Sequence, residues 1–321
     1  MRVAFGWRHD GLAQTRYAQK GSGMANTLRI GIAVLLALAS GRANAQQVIE
    51  DHELLAPDRP EAWAMNHAAA ATLFTGFGTT QALARWQWRL TAELDQVPLL
   101  DARQRAVGFN GDKTEDLNKS PVFGRVRASV GLPWGLVGEL GWTPPVAIHG
   151  AKAVGLVSAA VSRNLWTRGP WALSARAWGE RGGISGDITC PAVLAGLADP
   201  QRNPYDCQAP SKDHLQLDLY GVEFAASRVV GAWRWHAGAG YVRTELEVQV
   251  DALTFGFRDR TRLTANAGRH YLVLGVSRTL GWSGTLTAEL LHEPLPVRRP
   301  GDASAQDDAF TGLRLAWAIS L

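Results

Sequence analysis

From residue 84 to residue 95 the chain alternates without a break. Ala84, Trp86, Trp88, Leu90, Ala92 and Leu94 fall on one face, and Arg85, Gln87, Arg89, Thr91, Glu93 and Asp95 on the other. Strict period two over this length predicts a strand, because successive side chains of a strand point to opposite faces. A helix would scatter the charges around its surface. One face takes lipid-compatible residues and the other takes charges, which is the pattern of a membrane barrel, whose strands need about 9–11 residues to span. No run of about 18 or more apolar residues occurs, so the sequence predicts no membrane-crossing helix.

The same pattern recurs to the end of the chain. Segments 122–132, 136–143, 153–164, 171–181, 214–228, 233–249, 263–279, 285–292 and 313–321 read as further strands, about ten in all within a range of 8–12. Segment 214–228 changes phase near Gly221, where a bulge is expected. The connections alternate in length. Long stretches at 96–121, 144–152, 182–213, 250–262 and 293–308 are interleaved with short turns around Pro133–Gly135, Trp166–Pro170, Val229–Ala232 and Gly281–Gly284. Outer-membrane barrels are built this way, with short turns on the periplasmic side and long loops outside, and an even strand number places both termini in the periplasm. Trp134, Trp166, Trp171, Trp233 and Trp282 sit in or beside the short turns and are expected to form an interfacial girdle. The predicted fold is an all-β, transmembrane, antiparallel up-and-down barrel spanning 84–321.

Ahead of it the chain divides into three stretches. Arg29, the apolar run 30–39 and Ala43-Asn44-Ala45 have the order of a secretory signal peptide over 24–45, beginning at Met24. Residues 1–23 carry no export logic and read as a non-native extension. The formal charge of +4 belongs to the leader. Residues 1–45 hold six Lys or Arg against Asp10, so 46–321 retains 27 basic and 28 acidic residues of the chain's 33 and 29. A near-neutral mature chain gives no electrostatic ground for nucleic-acid binding. Export also permits a disulfide between the two cysteines, Cys190 and Cys207, both in one loop-like stretch. It would stabilise that loop by roughly 3 kcal/mol on the chain-entropy model. Zinc is the rival reading, although two cysteines without neighbouring histidines make a poor tetrahedral site.

Residues 46–83 read as a periplasmic or lumenal segment. Glu61–Phe74 is rich in helix formers, Pro60 suits a first helical turn, and Thr75-Gly-Phe-Gly-Thr79 ends the helix. It folds into the lumen as a plug or lies in the periplasm; a further strand is the alternative. Inward positions supply the candidate pore lining Arg85, Arg89, Glu93, Arg125, Arg127, Glu139, Arg176 and Arg314. Asp95, Glu180, Glu223, Arg234, His236, Arg269 and Glu289 are further inward charges. They form either a selective constriction or an ion-pair ladder filling a narrow lumen.

No His-x-Ser, G-x-S-x-G, H-E-x-x-H or P-loop pattern occurs, so no enzyme is expected, a rim hydrolase being the least favoured reading. No cofactor or metal is expected either.

On the alternating 84–95 and 313–321 segments, the turn tryptophans and the leader, the chain resembles bacterial outer-membrane β-barrel proteins. The final strand resembles their closing strand, which the assembly machinery reads, though that family usually ends in Phe or Trp and this chain ends in Leu321. The Met65-Asn-His-Ala-Ala region is similar to the N-terminal plug of the long-chain fatty-acid transporter family. That family carries an Asn-Pro-Ala-Gly stretch; here proline and glycine are absent and the chain is shorter. The resemblance implies outer-membrane lipid, lipopolysaccharide and the assembly machinery as partners. The function it implies is passive transport of a small solute through a Gram-negative outer membrane; the alternative is a structural or interaction barrel with a filled lumen and functional loops.

Overall fold

The computed structural model describes residues 47–78, 82–281 and 284–321. The expected leader at 24–45, the extension at 1–23 and Trp282 lie outside the described residues. Ten strands form the barrel: β1 Trp88–Gln96, β2 Val122–Gly131, β3 Leu136–Trp142, β4 Lys152–Arg168, β5 Trp171–Gly186, β6 Asp213–Val230, β7 Trp233–Gln249, β8 Arg262–Thr279, β9 Thr285–Pro294 and β10 Ala309–Ser320. Each pairs antiparallel with its neighbours in the chain, and β10 pairs with β1 (Leu315 opposite Leu94), so the sheet closes. Closure leaves no edge within the membrane. Among the described residues one helix, α1 (Pro60–Thr72), precedes these strands.

The wall is uneven. Strands β4 to β8 run 16 to 18 residues, whereas the other five run 7 to 12. About 9–11 residues suffice to cross, so the long strands project beyond the bilayer at the long-loop end.

That projection explains the phase change at Gly221, and it is not a bulge. Strand β6 stays in continuous register with both neighbours from Asp213 onward. Near its start the inward residues are Leu215, Leu217 and Leu219 and the outward ones Gln216 and Asp218. Past Tyr220 the polarity inverts: Val222 and Phe224 are exposed outward, while Glu223 and Ser227 are buried. Strand β7 inverts between Tyr241 and Arg243, and β8 between Leu272 and His270. Below the inversion the surround is lipid, so apolar residues face out; above it the surround is water, so they face in. Tyr220 and Tyr241 stand at the boundary, where amphipathic rings are favoured.

An exterior of exposed Leu90, Leu94, Leu140, Phe224, Leu274 and Leu313 around an interior of buried charge is stable only in a bilayer. The protein is an outer-membrane β-barrel.

Strand β1 begins four residues later than expected. A turn at 84–87, closed by Gln87 N–H to the Ala84 carbonyl and by Ala84 N–H to the Gln87 side chain, precedes it, and Trp86 takes a positive φ of 66°. Arg85 is therefore no lumen residue: it is exposed, with its guanidinium over the Trp86 ring. The alternation of sequence simply runs on past the point where strand pairing starts.

The segment before β1 threads the barrel from the opposite end. Val48–Ile49 pairs in parallel with Phe257–Asp259 in the loop between β7 and β8, and His52–Leu54 pairs with the start of β8. The described chain thus begins at the long-loop end, passes down the lumen as α1 and residues 73–78, and reaches the short-turn end before β1. The two ends of the barrel itself do lie together, with Ser320 opposite Arg89, but the preceding segment does not share that side, because its backbone bonds are made with the loop sheet.

Candidate functional site: the lumen and its N-terminal plug

Helix α1 has no polar face; apart from Ala64 and Ala68 its residues are buried on every side. Such a helix belongs inside a protein. Pro60 occupies its first turn and Glu61 follows, accepting from Arg59 at 2.8 Å and from Asn110 N–H at 2.5 Å. Its alanines let the strands approach, and the wall answers with small residues: a β-carbon on Gly141 would stand 3.1 Å from the Phe74 ring.

The far end of the helix carries the chemistry. The last carbonyls of a helix lack intrahelical partners and bear partial negative charge. Here arginines from three barrel strands meet the carbonyl of Thr72, the last helical residue, and those of the three residues that follow it. Arg125 donates to the Thr72 carbonyl, Arg314 to Leu73 at 2.8 Å, Arg176 to Phe74 at 2.6 Å and Arg127 to Thr75 at 2.8 Å. The guanidiniums of Arg125, Arg127 and Arg176 also surround the Phe74 ring, 4.1 to 4.9 Å from its centre. Beyond them Gly76 N–H donates to Glu223 at 3.1 Å and the Thr75 hydroxyl to Glu289 at 2.7 Å. Gly78, at φ +63°, leaves room for the His236 ring, which lies where its β-carbon would be.

Each arginine of this socket also meets a barrel carboxylate. Arg125 pairs with Glu180 at 2.6 Å, Arg127 with Glu93 at 2.5 Å and Glu139 at 2.9 Å, Arg176 with Glu139 at 3.1 Å, and Arg314 with Asp95 at 3.4 Å. His236 approaches Glu289 at 3.1 Å, and Tyr271 donates to Glu223 at 2.9 Å. Of the inward charges named from sequence, Glu93, Arg125, Arg127, Glu139, Arg176 and Arg314 converge on one buried layer. Arg89 lies apart, nearer the short-turn end, and Arg269 pairs with Glu293 at 3.0 Å nearer the long-loop end.

Three tiers result. An apolar core of Trp63, Leu217, Val242, Leu246 and Phe310 fills the long-loop end, the charged layer fills the middle, and a cavity lined by hydroxyls opens at the short-turn end. Sequence reasoning missed Thr75 and Gly76 as partners of that layer. Nothing in the local pattern marks a threonine that will meet a glutamate 214 positions away.

Outward at the short-turn end stand Trp134, Trp166, Trp171 and Trp233, all exposed, with Trp88, Trp235 and Trp317 beside them. Arg228 lies over Trp171 and Arg278 over Trp233. At the long-loop end Cys190 and Cys207 are joined by a disulfide, so the zinc reading does not hold. No cluster of three or more metal-ligating side chains occurs among the described residues.

No family model matches the chain, and no curated protein matches it. Solved structures do. An outer membrane channel from Pseudomonas putida F1 is 10% identical with a TM-score of 0.41, covering 77% of this chain and 100% of that one. The toluene transporter TodX of Pseudomonas putida is 8% identical with a TM-score of 0.32, covering 75% and 70%. The outer membrane protease OmpT of Escherichia coli is 7% identical with a TM-score of 0.29, covering 75% and 98%. A channel, a transporter and a protease stand together at this distance, so no residue's role is taken from them.

One pairing bears on hydrolase chemistry. Ser185 Oγ and His214 Nδ1, cross-strand neighbours on β5 and β6, lie 2.9 Å apart, an arrangement that a His-x-Ser search along the sequence does not see. No carboxylate bonds the His214 ring among the described residues.

Proposed function

We propose that the protein is a passive channel for a small solute, held closed by residues 60–78. The observation that carries this reading is that the lumen is filled by a segment preceding the barrel rather than by barrel side chains alone. That segment is held by hydrogen bonds and ion pairs, which can be exchanged for water. Moving it would leave a lumen walled by the arginine and glutamate side chains of β1, β2, β3, β5 and β10, a constriction able to discriminate solutes by charge. Partners of the barrel surface on this reading are outer-membrane lipid and lipopolysaccharide, with the assembly machinery acting on β10.

The test is planar-bilayer conductance of refolded full-length chain beside an Ala69→Pro variant. Proline in the middle of α1 removes a hydrogen bond and costs about 3 kcal/mol or more, which weakens the plug and leaves the strands intact. The native chain is expected to open rarely and the variant to give frequent stable steps. Silence from both, with normal heat-modifiable migration, would overturn the channel reading.

A second reading, an interaction barrel with a permanently filled lumen, is favoured by the loops. They build their own four-stranded sheet, Val48–Ile49, Phe257–Asp259, Ala252–Thr254 and Cys207–Ala209. Phe109 and Phe255 are exposed at positive φ of 51° and 49°. Backbone strain at an exposed aromatic residue suits a recognition surface, and silence in both bilayer experiments is what this reading expects.

A further inference from the structure

We propose that the cavity at the short-turn end of the lumen binds a small oxyanion, the carboxylate or phosphate group of a solute, on Arg89. The proposal deepens the channel reading by naming its solute class. The cavity measures about 60 Å³, room for roughly four waters at 10–15 Å³ each or for one oxyanion group. It lies directly beneath the plug, against Gly76, Phe77 and Gly78.

Its lining is selective in kind. Two arginines reach it, Arg89 and Arg127, with the hydroxyls of Thr91, Ser129, Ser277 and Thr287; no carboxylate lines it among the described residues. Arg127 is already engaged by Glu93, Glu139 and the Thr75 carbonyl. Arg89 makes no ion pair and no side-chain hydrogen bond among the described residues, although it points into the barrel from β1. Glu139 lies within electrostatic reach of Arg89, but its oxygens are taken by Arg127, Arg176 and Ser162. Arg234, also within reach, adds to the positive field at Arg89.

A guanidinium in a confined site without a counter-charge is a costly arrangement unless an anion completes it. Its planar fork offers two parallel N–H bonds to a carboxylate or phosphate. The hydroxyls supply the remaining donors. Thr287 Oγ1 donates to Ser277 Oγ at 2.9 Å, which leaves the Ser277 proton to give to a ligand. An anion seated here would also lie beside Arg127, whose bond to Thr75 helps hold the plug.

The test is isothermal titration of detergent-refolded, full-length chain with sodium phosphate, with sodium acetate, and with choline chloride at matched ionic strength. One saturable site of millimolar affinity is expected for phosphate or acetate and none for choline chloride. Preference for phosphate assigns the phosphate source, and preference for acetate the carboxylate source. Arg89→Gln is expected to weaken binding at least about tenfold, Thr287→Val to weaken it less, and Arg89→Lys to restore part of it without the bidentate preference. Absence of saturable binding, or binding unchanged in Arg89→Gln, overturns the proposal. The measurement needs no current. A barrel that binds phosphate but never conducts overturns only the channel reading, and one that conducts but binds neither anion overturns only this inference.

Discussion

At the scale of single residues, the shared carboxylate of Glu139 sets the energetics of the lumen. Arg127 and Arg176 both lean on it, and each also holds a plug carbonyl. Removing one partner of a buried pair strands the other, at a cost of about 3–5 kcal/mol. Arg176→Ala is therefore expected to lower the urea midpoint of the folded barrel markedly. The Arg127→Ala, Arg176→Ala double variant should lose less than the two single losses together, because both act through Glu139. Glu115, in the long loop between β1 and β2, behaves differently. Burial raises its carboxyl to about 7 against the attraction of Lys113, with Asp213 and Glu61 adding to the rise. Its folded value exceeds the unfolded one, so the folded loop binds more protons between about pH 4.5 and 7. The stability of the loop is then greatest below that window and falls as pH rises through it. Amide protection factors in residues 97–121, which correct for the intrinsic rise of exchange with pH, should fall from pH 5 to pH 8, and Glu115→Gln should abolish the fall.

At the scale of elements, the separability of loop and barrel can be measured. The disulfide belongs to a small satellite core of Cys190, Cys207 and Ala252, apart from the main one. Reduction should leave heat-modifiable migration unchanged while exposing residues 187–212 to protease, since the bridge contributes at most about 3 kcal/mol and only to its own loop. Loss of the whole fold on reduction would contradict this. The ten strands were legible because each presents one face to lipid. Helix α1 was legible through Pro60 and its alanines, but its place was not: a helix without an amphipathic stripe shows that it is buried and not against what. Arg85 was misplaced for a related reason. Alternation tells which way a side chain would point in a strand and does not tell where pairing begins.

At the scale of the whole molecule, the inversion of polarity along β6, β7 and β8 marks where the membrane ends. Phe224, below the inversion, and Gln216, above it, both point outward. Phe224→Arg should cost about 2–4 kcal/mol of folding in vesicles, as a charge near the bilayer midplane does. Gln216→Arg should cost nearly nothing by the same urea titration. Equal effects would place the boundary elsewhere. Read along the chain, the inversion looks like a slip of one residue, because a bulge and a change of solvent both exchange the apolar face. Only the unbroken register of β6 against β5 and β7 separates them.

The sequence by itself determined a barrel of about ten strands and the orientation of its polar and apolar faces, while closure of β10 on β1 fixed the number. The barrel and its faces follow from local periodicity, and lipid outside a closed sheet imposes that periodicity on every strand separately. The tertiary structure alone decided that the N-terminal segment enters from the long-loop end, that its carbonyls meet four arginines, and that Arg89 makes no ion pair among the described residues. Those contacts join residues far apart in the chain, and each depends on which side chains closure brings to the same depth of the lumen.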